Sequence, residues 1–141
     1  MKRFLNFLVL GIVSLSFVGI ISCSKDDDDK SKTELLTSGT WKFSSVTMNG
    51  VDYTSFMPAC EKDNTLRFTS NTYTFDEGST KCDEDDPQTE TGTWKFIDNE
   101  TKIVSDGDTT NVVEISSSKF RSSIVEEYNG TEMTTIITYV H

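Results

Sequence analysis

Apolar and polar residues alternate with a period of two along most of the chain, from about Gly39 to the last residue. Turn-forming residues interrupt this alternation about every 8–12 positions, which is typical of an all-β sandwich or barrel. Eight strands are predicted, over residues 40–48, 64–69, 72–76, 92–97, 101–105, 109–116, 119–128 and 131–140. Asn129-Gly130 between the last two strands predicts a tight hairpin, which places Phe120 opposite Tyr139 and Glu126 opposite Met133. Sequential antiparallel strands with short links favour closure, because a closed sheet has no exposed edge. The pattern therefore predicts an all-β, eight-stranded antiparallel up-and-down barrel.

The first 22 residues have the pattern of a secretory signal peptide. Lys2 and Arg3 are followed by an almost unbroken apolar run over residues 4–21, which ends at Ser22-Cys23. A small residue before a cysteine at this position resembles a bacterial lipobox, which implies cleavage after Ser22 and lipid attachment to Cys23. The alternative is an ordinary signal peptide or a transmembrane anchor with a chance cysteine.

An acidic run follows this cysteine. Residues 26–29 are four consecutive aspartates, which repel one another and cannot pack in a core, so residues 23–34 are predicted to be a disordered, solvated tether. Acids directly after a lipidated cysteine resemble the export tag of Bacteroidetes surface lipoproteins. We therefore expect a lipid anchor in the outer membrane and display at the cell surface, with the periplasmic face as the alternative. The expected organisation is a signal peptide (1–22), the tether (23–34) and one folded domain (35–141).

Two cysteines remain once Cys23 is assigned to the lipid. Cys60 and Cys82 form an even pair in an oxidising compartment. The strands at 64–69 and 72–76 read as a hairpin, and extending its register brings the two cysteines nearly opposite each other. We therefore predict a Cys60–Cys82 disulfide, and two free structural thiols are the alternative.

The composition argues against several classes of function. The single histidine is His141, the last residue, which excludes Ser-His-Asp and Cys-His arrangements and histidine-based zinc sites. A disulfide would leave no thiolate nucleophile. The formal charge of −10 without a basic patch argues against nucleic acid. We expect no enzymatic activity and no cofactor.

A five-residue repeat opens two of the predicted strands. Residues 39–43 (Gly-Thr-Trp-Lys-Phe) recur at 92–96. Either two strands entering a core independently need a glycine and then alternating aromatics, or a four-strand unit has been duplicated.

The first copy of this repeat also resembles a sequence motif of a known protein family. A Gly-x-Trp motif at the start of the first strand resembles lipocalins. The domain more closely resembles the lipocalin-like domains of Bacteroidetes lipoproteins, through Gly39-Thr40-Trp41, Cys60–Asn64, Leu66-x-Phe68, Gly78, Lys81-Cys82 and Gly92-Thr93-Trp94. The Thr-Asp-Tyr motif of lipocalins is absent. The resemblance implies a β-barrel and a lipid anchor, with no established activity, and ligand capture follows from it only by analogy.

Three groups of residues are candidates for binding. The first is a set of interior aromatics, which either line a ligand cavity or fill a narrow barrel: Trp41, Phe43, Phe68, Phe75, Trp94, Phe96 and Phe120. The second is the segment 49–63 with Tyr53, Phe56 and Met57, which is either a lid over the barrel mouth or a packed loop. The third is the acidic loop 83–86, where a solvated loop is favoured over a calcium site.

These observations lead to one hypothesis with one alternative. The leading hypothesis is a lipid-anchored lipocalin-like barrel that binds a small apolar or amphipathic molecule without catalysis. The alternative is a protein-interaction module with a filled barrel, such as an inhibitor or an accessory subunit of an outer-membrane complex, whose partner the sequence does not identify. A cavity larger than about 300 Å³ would favour the first hypothesis, and a filled barrel with an exposed apolar patch the second.

Overall fold

The computed structural model describes residues 29–141. The predicted signal peptide, Cys23 and most of the aspartate run lie outside the described residues. The described elements are α1 (Lys32–Leu36), β1 (Thr40–Met48), β2 (Val51–Asp52), a 3₁₀ turn (Thr54–Phe56), α2 (Ala59–Lys62), β3 (Thr65–Phe68), β4 (Thr72–Asp76), β5 (Thr89–Ile97), β6 (Lys102–Ser105), β7 (Asp108–Ile115), β8 (Lys119–Tyr128) and β9 (Thr131–Val140).

The strands form one antiparallel sheet that closes on itself. From β3 to β9 each strand pairs with the next along the chain, β1 pairs with β3, and β9 returns to β1 from Lys42–Val140 to Met48–Thr135. The short strand β2 pairs with β1 alone and stands outside this circuit. The predicted eight-stranded up-and-down barrel is confirmed, with one additional strand.

The hairpin register read from the sequence is also confirmed. Phe120 pairs with Tyr139 and Glu126 pairs with Met133. The turn at Asn129-Gly130 uses positive φ angles of 51° and 75°, which suit asparagine and glycine and match the twist of a two-residue hairpin. The register places Phe120 and Tyr139 on the same face of the sheet, which is the inner face of the barrel.

One end of the barrel, called here the closed end, carries α1 and the turns at 69–71, 98–101 and 116–118. Ser31 caps α1 in a reciprocal capping box with Glu34, and the Lys32 ammonium donates to the carbonyl oxygen of Glu100 at 2.8 Å. The helix thereby lies across the closed end. Leu35 and Leu36 are buried there. Helix α1 begins at Lys32, inside the range assigned to the tether.

Aromatic side chains fill the barrel behind this helix. Trp41 is completely buried and its indole N–H donates to the carbonyl oxygen of Leu36 at 2.8 Å. Phe68 contacts both Trp94 (ring centroids 5.3 Å apart) and Phe120 (6.0 Å) in edge-to-face geometry. The core cluster consists of Leu36, Trp41, Phe68, Trp94, Ile103 and Phe120. This half of the barrel is therefore packed solid. The core cluster, the strand pairing that closes the barrel and the Cys60–Cys82 disulfide all lie within residues 31–141.

The glycines of the repeat are required by close contacts. A Cβ on Gly39 would lie 2.9 Å from the ring of His141, which stacks on Trp41 at a centroid distance of 3.8 Å. A Cβ on Gly92 would overlap the carboxylate of Asp106 and lie 2.6 Å from the ring of Tyr73. Each copy of the repeat thus admits a different group at its glycine, so each glycine has a packing requirement of its own.

Candidate functional site

A cavity of about 320 Å³ lies at the other end of the barrel, called here the open end, next to the segment that follows β2. The cavity has a mostly apolar lining with a few polar groups. The lining residues are Phe43, Val46, Met57, Glu61, Asn64, Thr65, Phe75, Glu77, Cys82, Ile137 and Tyr139. Its volume falls at the lower end of the range of small-molecule sites, about 300–1,000 Å³.

The cavity exists because two adjacent strands separate. The strands β1 and β3 pair only over Thr40–Lys42 and Thr65–Arg67, near the closed end. Beyond this point β1 follows β9, and a bulge at Ser44 separates the partners Phe43–Tyr139 from Ser45–Thr138. Beyond Lys42, side chains of β3 therefore do not fill the barrel interior next to β1. The segment 53–64 lies over this gap between the two strands.

The sequence predicted segment 49–63 as one long loop, and the structure shows it built from short pieces. Strand β2, the 3₁₀ turn and α2 lie within it. The hydroxyl of Thr54 accepts a hydrogen bond from the Val46 N–H at 3.0 Å, and the Tyr53 N–H donates to the carbonyl oxygen of Val46 at 3.0 Å. Asp52 accepts from the Thr54 N–H at 2.8 Å. Hydrogen bonding from the Thr54 hydroxyl, and then from this N–H, lowers the pKa of Asp52. The start of the segment is thus fixed to β1.

The end of the segment is fixed to the loop that follows β4. The predicted disulfide between Cys60 and Cys82 is confirmed, with a Cα–Cα distance of 5.1 Å. The Asn64 amide nitrogen donates to the carbonyl oxygens of Cys60 (2.8 Å) and Glu77 (3.0 Å), in the orientation that satisfies its hydrogen bonds. These bonds hold α2 and the β4–β5 loop together beside the cavity.

Asp63 adds a second connection between the same two segments. One of its carboxylate oxygens accepts hydrogen bonds from the Ser79 hydroxyl (2.6 Å), the Ser79 N–H (2.9 Å) and the Thr80 N–H (3.0 Å). The hydrogen bond from the Ser79 hydroxyl is the main reason that the pKa of Asp63 lies below its usual value. The loop after β4 is therefore anchored by polar contacts as well as by the disulfide.

The structure distributes the ten predicted binding residues over three environments. Phe43, Met57 and Phe75 line the cavity. Tyr53 and Phe56 lie outside its lining and contact each other at a centroid distance of 5.8 Å, with Phe56 79% exposed. The remaining five aromatics belong to the packed core or contact it: Trp41, Phe68, Trp94, Phe96 and Phe120. The interior thus has both a filled half and a hollow half.

Several lining residues were not among the sequence candidates. Ile137 and Tyr139 could have been found, because the Asn129-Gly130 register places Tyr139 on the inner face and Ile137 two residues earlier on that same face. Val46, Asn64 and the two glutamates carry no comparable sequence signal, because the bulge in β1 and the fold of segment 53–64 decide where they lie.

The lining of the cavity includes polar groups from Glu61, Glu77 and Tyr139, besides Asn64 and Thr65. The Glu77 carboxylate accepts a hydrogen bond from the Cys82 N–H at 3.1 Å. Burial raises the pKa of Tyr139, whose ring stacks on Phe120 at a centroid distance of 5.8 Å. The cavity therefore has an apolar wall with hydrogen-bonding groups at few places, which suits a molecule that is mostly apolar.

The described residues were compared with the requirements of a metal site and of a membrane-spanning helix. Within residues 29–141 no three histidine, cysteine or acidic side chains converge in a way that could hold a metal ion, and the loop 83–86 is included in that range. No helix within the same residues has the length and apolar character needed to cross a membrane.

A closed up-and-down barrel that is filled at one end and hollow at the other has an architecture that is found among the lipocalins. The family model of the lipocalin-like domain matches residues 37–122. The chain belongs to this family, which confirms that part of the resemblance read from the sequence and supports a binding role. No curated protein matches the chain.

Proposed function

We propose that this protein binds a small apolar or amphipathic molecule, without catalysis, in the cavity at its open end. The observation that carries the proposal is the cavity of about 320 Å³ with an apolar lining in an otherwise filled barrel. Membership of the lipocalin-like domain family supports a binding role. Residues 43, 46, 75, 137 and 139 would supply the apolar contacts, and Met57 would cover them from the segment that follows β2.

A pair of variants with the same side-chain change tests this proposal. Val46→Phe adds volume into the cavity, because Val46 lines it and is 4% exposed, whereas Val113→Phe adds the same volume at a site that is 45% exposed. The domain 24–141, purified from its own host, is measured by native mass spectrometry and then denatured for extraction. We expect a bound small molecule in the wild type and in Val113→Phe that is lost in Val46→Phe. A clean apo mass for the wild type, with no retention from a host extract, would contradict the proposal.

We further propose that the protein is a lipoprotein anchored in the outer membrane through a lipid on Cys23 and displayed at the cell surface. The signal-peptide pattern, the lipobox-like Ser22-Cys23 and the acidic run support this proposal. Metabolic labelling with an alkyne fatty acid should mark the wild type and not Cys23→Ser. Protease added to intact cells should then degrade the domain. Labelling with full protection from protease would place it on the periplasmic face instead.

A second candidate function is favoured by a feature of β8. Among the described residues, β7 pairs with β8 only as far as Asn111–Ser123, so from Ile124 to Tyr128 the strand β8 pairs with β9 alone. Val125 and Tyr128 are exposed on this free edge. A protein partner could extend the sheet there. In that case Val125→Lys would abolish an envelope crosslink to the partner, and Val51→Lys, at another exposed valine, would leave it unchanged.

A further inference from the structure

The lining of the cavity is asymmetric in charge. Two of its residues, Glu61 and Glu77, carry carboxylates, whereas its lining contains no lysine, arginine or histidine. Most of the remaining lining is apolar, including Phe43, Val46 and Phe75. A molecule in the cavity would therefore have its apolar part against uncharged walls and would meet only negative charge.

Among the described residues, neither of the two carboxylates forms an ion pair. The ion pairs of the described residues join Lys102 to Asp98, and Lys119 and Arg121 to Glu114, and none of them involves a lining residue. Within residues 29–141 the Glu61 side chain makes no hydrogen bond, and Glu77 accepts one, from the Cys82 N–H. Both groups thus retain acceptor capacity for a ligand.

This arrangement discriminates between classes of amphipathic ligand. A carboxylate or phosphate head group would be repelled by both glutamates and would find no cationic side chain among the lining residues. A protonated amine would be attracted, and each unit charge at close range near a protein surface is worth about a factor of ten or more in affinity. A metal ion is a poor alternative, because no third metal-ligating side chain joins the two glutamates in the described part of the chain.

We infer that the cavity selects amphipathic molecules with an apolar body and a protonated amine or similar organic cation as head group, held beside Glu61 and Glu77. The inference rests on the proposed binding function and adds the ligand class to it. The apolar body would lie against residues 43, 46, 75 and 137. The same charges weaken the binding of fatty acids and other anionic amphiphiles of the same size.

Three probes of one chain length separate the head-group effect from the apolar contribution. Octylamine, octanol and octanoate are titrated calorimetrically into the domain 24–141 at neutral pH and low salt. We expect octylamine to bind at least about tenfold more tightly than octanol, and octanoate at least about tenfold more weakly than octanol. Raising the salt concentration should reduce the preference for the amine, because the glutamates are partly accessible to solvent.

Variants that change charge but not size test whether the glutamates of the cavity are responsible. Glu61→Gln and Glu77→Gln should each reduce the octylamine preference about tenfold and leave octanol affinity within about twofold. Glu132→Gln is the matched control, because it removes the same charge from an exposed position on β9 that does not line the cavity. It should leave the preference unchanged.

The outcomes distinguish this inference from the proposed function. If none of the three probes binds, the binding function itself fails and the inference fails with it. If octanol or octanoate binds as tightly as octylamine to the wild type, the ligand class is wrong while the binding function stands. If Glu132→Gln reduces the preference as much as Glu61→Gln, net charge and not the cavity attracts the amine, and the inference is wrong. The wild-type comparison decides the matter even if a glutamate variant does not fold.

Discussion

Removal of the Cys60–Cys82 disulfide is the perturbation whose effect the structure defines best. The bond joins α2 to the loop after β4, two segments that lie beside the cavity, across a sequence separation of 22 residues. In the double variant Cys60→Ser/Cys82→Ser the two segments remain connected through Asp63 and the Asn64 amide. We therefore expect the variant to fold to the same barrel, and its loss of stability to arise mainly in the unfolded chain.

The size of the loss follows from the length of the closed loop. In the chain-entropy model a loop of 22 residues removes about 11 cal/mol/K from the unfolded state. This corresponds to about 3 kcal/mol at 25 °C. Because domains of this kind have unfolding free energies of about 5–15 kcal/mol, the bond should supply a substantial part of the total.

Urea denaturation followed by the fluorescence of Trp41 and Trp94 measures this difference. Both indoles are buried in the closed end, away from the disulfide, so their signal reports global unfolding. With a typical m-value of about 1.5 kcal/mol/M, the midpoint of the double variant should fall by about 2 M. The m-value should rise slightly, because the unfolded chain without a crosslink is more expanded.

Reduction of the wild type provides the control. Dithiothreitol should lower the wild-type midpoint to that of the double variant and should not affect the double variant. A loss below about 1 kcal/mol would refute the entropic account. A variant that is unfolded without denaturant would show that the hydrogen bonds of Asp63 and Asn64 cannot hold the two segments in the native state.

Three further predictions follow from other parts of the barrel. Leu36→Ala removes a fully buried side chain of α1 from the core and should lower the unfolding free energy by about 2–5 kcal/mol. Val51→Ala, at an exposed site, should change it by less than about 0.5 kcal/mol. Equal losses in urea denaturation would contradict the role of α1 in closing the barrel. Gly92→Ala, which places a Cβ against a carboxylate and a tyrosine ring, should cost about 1–3 kcal/mol in the same assay, and a neutral result would show that the turn at residues 106–107 moves freely. Hydrogen bonds from Ser79 keep the pKa of Asp63 below its unfolded value. The stability they provide is therefore present above about pH 4 and is lost as the pH falls through the lower, folded pKa. The urea midpoint of the wild type should drop on acidification below about pH 4, and the midpoint of Asp63→Asn should drop less.

The fold could be predicted from the sequence because the signals for strands and hairpins are local. Period-two alternation gave the strands β1, β4, β8 and β9 with their observed bounds, and the Asn129-Gly130 turn gave the pairing of β8 with β9. The hairpin of β3 and β4 was enough to bring Cys60 opposite Cys82. Each of these inferences depends on residues that are neighbours in sequence or are connected by one tight turn.

The distribution of aromatic side chains between core and cavity was not readable in the same way. The sequence marks Phe43 and Phe96 alike, as the last residue of the same five-residue repeat, yet Phe43 lines the cavity and Phe96 packs against the core. What separates them is the position of each strand along the barrel, since β1 leaves β3 near Phe43 whereas β5 keeps its pairing with β6 at Phe96. The alternation along a strand tells which residues face inward, but not how far the neighbouring strands continue.

The sequence by itself therefore determined eight of the nine strands, the register of the β3–β4 and β8–β9 hairpins, the closure of the barrel and the disulfide. These features follow from local periodicity, turn chemistry and the parity of the cysteines. Only the tertiary structure decided that one half of the barrel is filled and the other hollow, and that Glu61 and Glu77 face the hollow half. The physical reason is that a cavity is a property of several chain segments at once. It depends on where the pairing of β1 with β3 stops and on how segment 53–64 is held, and neither is encoded in the residues that line it.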